Sequence, residues 1–403
     1  MKKLLISLFI ITVLLLSAIY FVGSRVENET KNILAKDTQQ GLTSRLISYE
    51  RHFLTATAIS EVTVMIEDEA AIVLQINSSV VHYPHKAVIS NQISLPDPEL
   101  SKKIQTYFAS ENWISSTEEI NLFGQLTGQL KLLPGSYHKD NEQFATKALQ
   151  LDYQVDLQDY SGSADLNWQG LQASTNEGDF SVASVKLRSN FSSLSAHNEY
   201  DYFAQIANIV IAREGAQSLL QGLELQGSSR YGEQPDTIDT SNEWKVAFYQ
   251  NGSDSKQVFT DNQVKLDIEG LYSPALHLLS TASKGSEQVE KALSALLAHG
   301  AKLTLTKLNS QTPWGKVTGY FSVTLQPGAL FTEIVFNPFA LLDYVSGNAN
   351  LLLPAALLKE PRLSDSLKMG ISTGFLKREA QTLIFETQFE QGELTVNGRV
   401  IPL

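Results

Sequence analysis

The chain opens with an uncharged, almost wholly apolar stretch from Leu4 to Val22, preceded directly by Lys2 and Lys3. A helix of about 20 apolar residues is long enough to cross a bilayer. The pattern predicts a cytoplasmic stub at 1–3 and a transmembrane anchor at 4–23, and the positive-inside rule places the rest of the chain on the far side of the membrane. The alternative is a signal peptide cleaved after Ala18. The apolar run continues past that point, which favours the anchor.

The next segment, 24–48, is polar and free of proline. Its apolar positions are too sparse for a deeply buried face. We therefore expect a stalk helix that leads away from the membrane.

Strict alternation of apolar and polar residues dominates the remainder of the chain. Apolar residues or glycine occupy the even positions from Ile120 to Leu132, and apolar residues occupy the odd positions from Leu149 to Leu157. A period of two places each set on one face of a strand, and strands with one apolar and one polar face are typical of antiparallel sheets. Glycines within these runs, such as Gly124 and Gly128, indicate bends, so we expect curved sheets.

Three segments carry helical signals. The residues from Phe203 to Val210 have apolar positions at helical spacing. Ser286 is a good capping residue for a helix that ends near Gly300. A third helical region is expected at about 339–377, interrupted by prolines.

The expected fold class is therefore α+β and strand-dominated, with an N-terminal transmembrane helix followed by large curved antiparallel sheets and a few packed helices. A turn-rich stretch at 228–242 suggests a boundary. We expect a first β-rich subdomain at 49–235 and a second at 236–403, which includes helices and a C-terminal hairpin.

Composition narrows the function. The formal charge is −12, and two of the positive charges precede the apolar run. This disfavours a nucleic-acid or anionic-lipid surface. The chain has no cysteine, which excludes disulfides, thiolate catalysis and anchoring through a lipidated cysteine. A large exported protein without disulfides suits a bacterial envelope.

The search for chemical motifs finds little. Two imidazoles lie close in sequence at His82 and His85, but no third ligand is near, and a turn is the simpler interpretation. The acidic run 67–69 reads as a solvated hairpin tip. No hydrolase elbow, P-loop, dinucleotide fingerprint or zinc-protease motif occurs. We expect no catalytic residue, no cofactor and no metal site.

The two ends of the chain carry a resemblance. The ending Gly392-Glu393-Leu394-Thr395-Val396-Asn397-Gly398 with its closing Ile401-Pro402-Leu403, and the lead-in Asn350-Leu351-Leu352-Leu353-Pro354, resemble the YdgA-like family of bacterial envelope proteins. So does the order of an anchor, a helix and the Ser48-Tyr49-Glu50-Arg51 element, although His52 stands where that family tends to have glycine. The resemblance implies an inner-membrane-anchored, mostly periplasmic protein of unknown function, and it implies no functional residues.

Two non-enzymatic hypotheses remain open, and an enzyme is the least favoured reading. In the first, part of a curved apolar sheet face stays open as a groove for lipid acyl chains, as in the membrane-tethered β-rich proteins of the AsmA type, to which the chain has a general likeness. In the second, the protein is a structural adaptor that contacts another envelope protein. The residues expected to line a groove are Leu122, Leu126, Leu130, Leu151, Tyr153 and Val155. Ligand, partner and oligomeric state are not determined by the sequence.

Overall fold

The computed structural model describes residues 2–35, 42–65, 71–192, 199–213, 215–252, 257–282 and 286–401. These residues form 22 strands and six α-helices. The strands pair antiparallel with their neighbours along the chain, as the alternating pattern predicts. The strand-dominated α+β class expected from the sequence is confirmed.

The strands are β1 Leu42–Arg51, β2 Thr55–Val64, β3 Ile72–His82, β4 Lys86–Ser94, β5 Ile114–Asn121, β6 Gln125–Leu132, β7 Gly135–Lys139, β8 Glu142–Thr146, β9 Leu149–Asp156, β10 Gly162–Thr175, β11 Gly178–Phe191, β12 Tyr200–Arg213, β13 Ala216–Tyr231, β14 Thr237–Gln250, β15 Val258–Tyr272, β16 Ala301–Thr312, β17 Gly315–Leu325, β18 Val345–Pro354, β19 Lys377–Glu379, β20 Thr382–Glu390, β21 Glu393–Val396 and β22 Arg399–Ile401. The α-helices are α1 Lys2–Ala35, α2 Pro98–Phe108, α3 Ser273–Thr281, α4 Glu287–His299, α5 Phe331–Phe336 and α6 Ser364–Ser372. Two short 3-10 helices lie at Pro338–Asp343 and Ala355–Lys359.

The chain divides into two compact units. Unit 1 comprises residues 1–176 and 184–188, and unit 2 comprises 177–183 and 189–403. The division therefore falls within β11, earlier than the boundary expected at 235. The turn-rich stretch near 235 is instead a hairpin connection between two paired strands, β13 and β14.

Unit 1 is a meander in which β1 to β6 pair in sequence, followed by β9 and β10. The hairpin of β7 and β8 continues the sheet beside the far end of β10. Helix α1 lies on one face of this sheet and contributes Val22 and Val26 to its core. The other buried members of that core are Ala56, Val80, Ala87, Ile89, Ile120 and Leu157.

The stalk helix expected at 24–48 is wrong in its second half. Helix α1 ends at Ala35, and Leu42–Arg51 form strand β1, which pairs with β2. Serine, threonine and tyrosine in this segment are poor helix formers, and the edge of β2 offers them backbone hydrogen bonds.

Unit 2 is a second meander, in which β12 to β18 pair in order and β18 then pairs with β20. On its other edge, β20 pairs with β19 and β21, and β22 closes the sheet. The C-terminal hairpin is as predicted: Asn397 and Gly398 have φ angles of 47° and 76°. Positive φ at both central positions is what a type I′ turn requires.

Three other predictions have mixed outcomes. The helix from Ser286 to Gly300 is confirmed as α4. The segment from Phe203 to Val210 belongs to strand β12, because aromatic and β-branched residues fill both of its faces and mimic a helical spacing. The region 339–377 holds short helices, but β18 also lies within it.

Candidate functional site

The six residues expected to line a groove share one face of the unit 1 sheet, but they differ in surroundings. Leu122, Leu126 and Val155 pack against the buried core to which α1 contributes Val22 and Val26. We call the sheet residues of this core the helix seat. At these three positions the expectation of an open groove is wrong, because the chain's own helix covers the apolar face.

The other three lie further along the same face. Leu130 and Leu151 form a cross-strand pair, and Tyr153 pairs with Gly128. A Cβ atom on Gly128 would come within 2.2 Å of the Tyr153 ring, so this position has to be glycine for the ring to lie flat across the sheet. The Tyr153 hydroxyl donates a hydrogen bond to Oε1 of Glu118 at 2.9 Å. A polar group therefore interrupts the expected apolar lining.

Glu118 is the centre of a buried polar network. Its Oε1 also accepts hydrogen bonds from Asn91 Nδ2 at 3.0 Å and from the Ser116 hydroxyl at 3.1 Å. Asn91 donates a further bond to Ser116 at 2.8 Å. Burial, reinforced by the Glu118 carboxylate, raises the pKa of Tyr153 and keeps it a hydrogen-bond donor. With three donors on one oxygen, the carboxylate has a structural role: it ties β4, β5 and β9 together.

A second cluster surrounds α1 where the helix meets β1 and β3. Arg51 Nη1 lies 3.3 Å from Glu27 Oε2, and its guanidinium stacks over the Tyr20 ring at 4.9 Å from the centroid. His82 is only 3% exposed, and burial lowers its pKa. A Cβ on Gly23 would lie 2.9 Å from the His82 ring, so the glycine permits this close approach. A small cavity of about 230 Å³ remains beside these side chains.

The two histidines weighed as a metal pair have different environments. His82 faces α1, with Nδ1 3.4 Å from the Phe53 carbonyl oxygen, whereas His85 is exposed in the turn beside Tyr83. Among the described residues, no group of three or more histidine and acidic side chains could hold a metal ion. The acidic run 67–69 lies outside the described residues.

An extended apolar surface lies in unit 2. The pairing of the strands aligns one row of residues directly across eight neighbouring strands, from β12 to β20. The row consists of Ala204, Leu225, Trp244, Val264, Leu308, Gly319, Leu351 and Phe385. A parallel row next to it places Leu266, Leu305, Phe321 and Ala349 side by side. We call these two rows the apolar face of unit 2.

Most side chains of the apolar face are half-buried, and Trp244 is exposed. Glycine at 319 makes room within the row, because a Cβ there would come within 2.9 Å of Leu308. The face thus keeps part of its apolar area accessible. This contrasts with the helix seat of unit 1, whose Ala56 and Ala87 are fully buried.

The opposite face of the same strands is polar and internally paired. Glu243 accepts hydrogen bonds from Gln226 and Gln263 and forms an ion pair with Lys245 at 3.2 Å. Lys302 pairs with Glu269 at 3.1 Å. A cavity of about 780 Å³ opens at this end of the sheet. The carboxylates and ammonium groups of these pairs neutralise one another, and this pairing accompanies the burial of Glu243.

The groove residues expected from the sequence lie in unit 1, whereas the half-exposed apolar face belongs to unit 2. The alternation at 264–268 and 317–325 marked strands correctly, but β-bulges between β15 and β16 and within β16 shift the registers that align the rows. A partial signal lies in the size of the apolar residues. The helix seat includes Ala56 and Ala87 among larger residues, whereas leucine, phenylalanine or tryptophan occupies most positions of the unit 2 face.

The fold and these surfaces define a class: an α+β protein of antiparallel meanders in which one sheet is covered by a long N-terminal helix and the other retains a half-exposed apolar face. Over residues 1–403 the chain matches the model of a family described as bacterial protein of unknown function (DUF945), and it belongs to that family. No curated protein and no solved structure gives a significant match. Within the described residues, no helix has the length and hydropathy that a membrane-spanning helix requires.

Proposed function

We propose that this protein is a non-catalytic, membrane-anchored component of the bacterial envelope that binds lipid acyl chains on the apolar face of unit 2. The observation that carries the proposal is the half-exposed row of apolar side chains across eight paired strands. Exposed apolar patches of this kind mark ligand or partner surfaces in soluble domains. The interspersed glycine and the polar reverse face both support a binding surface.

The dimensions suit acyl chains. Neighbouring strands are about 4.8 Å apart, so eight strands extend over about 34 Å. One leaflet of a bilayer has a hydrocarbon thickness of about 15 Å, half that of the full core. A row of this length therefore has room for extended lipid chains lying across the strands.

The anchor is the N-terminal segment 4–23, with residues 1–3 in the cytoplasm and the sheets in the periplasm. Its support is the uncharged run from Leu4 to Val22, the preceding lysines and the resemblance to the YdgA-like envelope proteins. In addition, Leu14, Leu15 and Leu16 are all exposed on α1. Three consecutive leucines point in different directions around a helix. Apolar surroundings on all sides would keep all three side chains out of water.

Site-specific photo-crosslinking in living cells tests the proposal on the full chain. A photoreactive amino acid is placed at Leu266 or Leu305 on the apolar face, and at the neighbouring positions Lys265 or Thr306 as matched controls. Successive residues of a strand point to opposite faces, so the controls sample the polar face at the same depth. We expect phospholipid adducts at Leu266 and Leu305 and none at the controls. Equal labelling of both faces, or no lipid at either, would rule out the proposal.

A second candidate function is an adaptor, favoured by a separate observation. Phe336 is 90% and Phe339 is 73% exposed around the end of α5, with Leu330 and Val335 also exposed nearby. Aromatic side chains exposed to this degree are enriched in protein interfaces. The same photoreactive residue at Phe336 distinguishes the two functions: a discrete protein adduct there, together with no lipid at Leu266, would favour the adaptor.

A further inference from the structure

The edge of the unit 1 sheet from which α1 emerges is a continuous rim of four turns. These turns lie at 52–54, 83–85, 122–124 and 157–161. Backbone hydrogen bonds link them side by side: His82 N donates to Leu54 O at 2.8 Å, Leu122 N to His85 O at 3.1 Å, and Leu157 N to Gly124 O at 2.9 Å. We call this feature the helix-exit rim.

Helix α1 is fixed against this rim by several contacts. Arg25 donates a hydrogen bond to the Leu122 carbonyl oxygen at 2.9 Å, and Gly124 leaves the space that its guanidinium occupies. Tyr20 contacts Arg51, as described above. From Ile19 onward one face of the helix is buried, whereas residues 14–17 are exposed all round. The helix therefore leaves the sheet near Ala18.

Three of the four turns expose large apolar side chains at their tips. Phe123 is 78% exposed and Leu54 is 54% exposed, and Phe53 and Tyr83 are exposed as well. Turn tips are ordinarily polar, since nothing in the fold covers them. Tyr20 and Phe21, on the outward side of the helix at the same level, add two exposed rings.

The length of the apolar run decides what meets this surface. From Leu4 to Val22 the helix measures about 27 Å at 1.5 Å per residue, slightly less than the hydrocarbon core of about 30 Å that it has to cross. All residues of the apolar run are therefore needed to cross the hydrocarbon core. Its last four, Ile19 to Val22, already lie beside the rim, so a helix that spans the bilayer draws the rim into the membrane surface.

We infer that the helix-exit rim is a lipid-contact surface, which inserts Phe53, Leu54, Tyr83 and Phe123 into the interfacial layer of the phospholipid bilayer around the anchor. The inference rests on the anchoring part of the proposed function. Aromatic residues favour this layer because their rings sit at the level of the headgroups. The rim fixes unit 1 directly on the membrane, with the sheet strands rising from it rather than hanging from a flexible tether.

The chain has no cysteine, so single labels can be placed without altering other residues. The variants F123C and L54C label two separate tips of the rim, and M65C labels the opposite end of β2, about 30 Å away along a strand of ten residues. Met65 is a matched control, since it is 64% exposed and apolar. L14C reports on the helix itself.

Each full-length variant carries a fluorescent label and is reconstituted into vesicles of phosphatidylethanolamine and phosphatidylglycerol with nitroxide-bearing lipid. An interfacial group lies about 5–10 Å into the headgroup boundary, and we expect about twofold quenching at positions 54 and 123. Position 14 should be quenched as well, and position 65 should not. Quenching at 14 without quenching at 54 and 123 would overturn the rim while leaving the anchor intact. No quenching at 14 would overturn the anchor and the rim together, and lipid crosslinking at Leu266 would still be judged separately.

Discussion

The covering of the unit 1 sheet by α1 gives a quantitative prediction. Val26 is a residue of α1 and is fully buried against the helix seat. The substitution Val26→Ala removes two carbon atoms, which costs about 1.6 kcal/mol at about 0.8 kcal/mol per buried methylene group. The residual cavity adds to this loss. We expect the free energy that holds α1 on the sheet to fall by about 2–3 kcal/mol.

A single thiol beneath the helix measures that change. Ala87 is fully buried in the helix seat, so the thiol of an Ala87→Cys variant reacts only while α1 is lifted from the sheet. Each 1.4 kcal/mol changes the open population tenfold, so Val26→Ala should speed thiol labelling about 30- to 140-fold. A thiol at Ala56, on another strand of the seat, should show the same acceleration.

The exposed neighbour Asn28 supplies the control. Asn28→Ala changes the same helix without touching the core, and labelling at Ala87→Cys should stay within about twofold of the parent, because surface substitutions rarely exceed 0.5 kcal/mol. An unchanged rate in the Val26→Ala variant would refute the reasoning, since it would mean that the helix contributes nothing to closing this face. Alanine is a better helix former than valine or asparagine, so a change in helix propensity would slow labelling; equal acceleration by both substitutions would mean that the loss does not arise at the buried Val26 contact.

Three further predictions concern titration and the C-terminal hairpin. Burial lowers the pKa of His82. Its contribution to stability is therefore present above the usual pKa of about 6.5 and is lost as the pH falls below that value. We expect the Tm to drop in mild acid, and His82→Asn should reduce this dependence of the Tm on pH. Burial, with the Glu27 carboxylate second, raises the pKa of Tyr49 to about 12, so its contribution is intact below about pH 10 and is lost as the pH rises through the raised value. Ultraviolet titration should show a late-titrating group of tyrosines that includes Tyr49 and Tyr153, and Tyr49→Phe should remove one tyrosine from that group. The Asn397 side chain donates hydrogen bonds to the Gly374 and Phe375 carbonyl oxygens and accepts one from the Glu386 amide. Asn397→Gly keeps the positive φ angle but should lower the free energy of unfolding by about 2–3 kcal/mol, at about 1 kcal/mol per bond. Amide hydrogen exchange near Gly374 that stays slow in this variant would contradict the prediction.

Local signals in the sequence were sufficient where the chemistry is local. Helix α4 begins after Ser286 and ends at Gly300, whose φ is 74° and whose amide bonds to Leu296. The terminal hairpin follows from Asn397 and Gly398, since few other residue pairs tolerate positive φ at both positions. These elements depend on residues within one or two turns of each other, and the sequence shows all of them.

The segment from Ile120 to Leu132 shows how alternation misleads. It predicts one strand of thirteen residues, but β5 ends at Asn121 and β6 begins at Gln125. The Asn121 side chain accepts hydrogen bonds from the backbone amides of Phe123 and Gln125, and Gly124 has a φ of 87°. Asn121 and Gln125, which flank the turn, are an even number of residues apart. The apolar residues therefore stay at even positions on both sides of the turn. An asparagine followed three residues later by glycine was the available signal.

The covering of each sheet could not be predicted in the same way. Alternation identifies which face of a strand is apolar, but the element that packs on it comes from a distant part of the sequence, as α1 does for β3 and β4. Three of the six expected groove residues therefore pack against the core to which α1 contributes. Contacts of this kind follow from tertiary packing, which a pattern along one strand does not encode.

The sizes of the apolar side chains give a physical reason for the difference between the two sheets. Small residues let a helix approach a sheet closely: the helix seat includes the fully buried Ala56 and Ala87, and Gly23 of α1 lies against the His82 ring. The apolar face of unit 2 has Leu266, Leu305 and other large residues in the corresponding place. Side chains of that size project from the sheet and make its surface uneven. A flexible hydrocarbon chain can follow an uneven surface. Under the function proposed for unit 2, its partner would be an acyl chain, which differs from a helix in having no rigid backbone to bring close to the sheet.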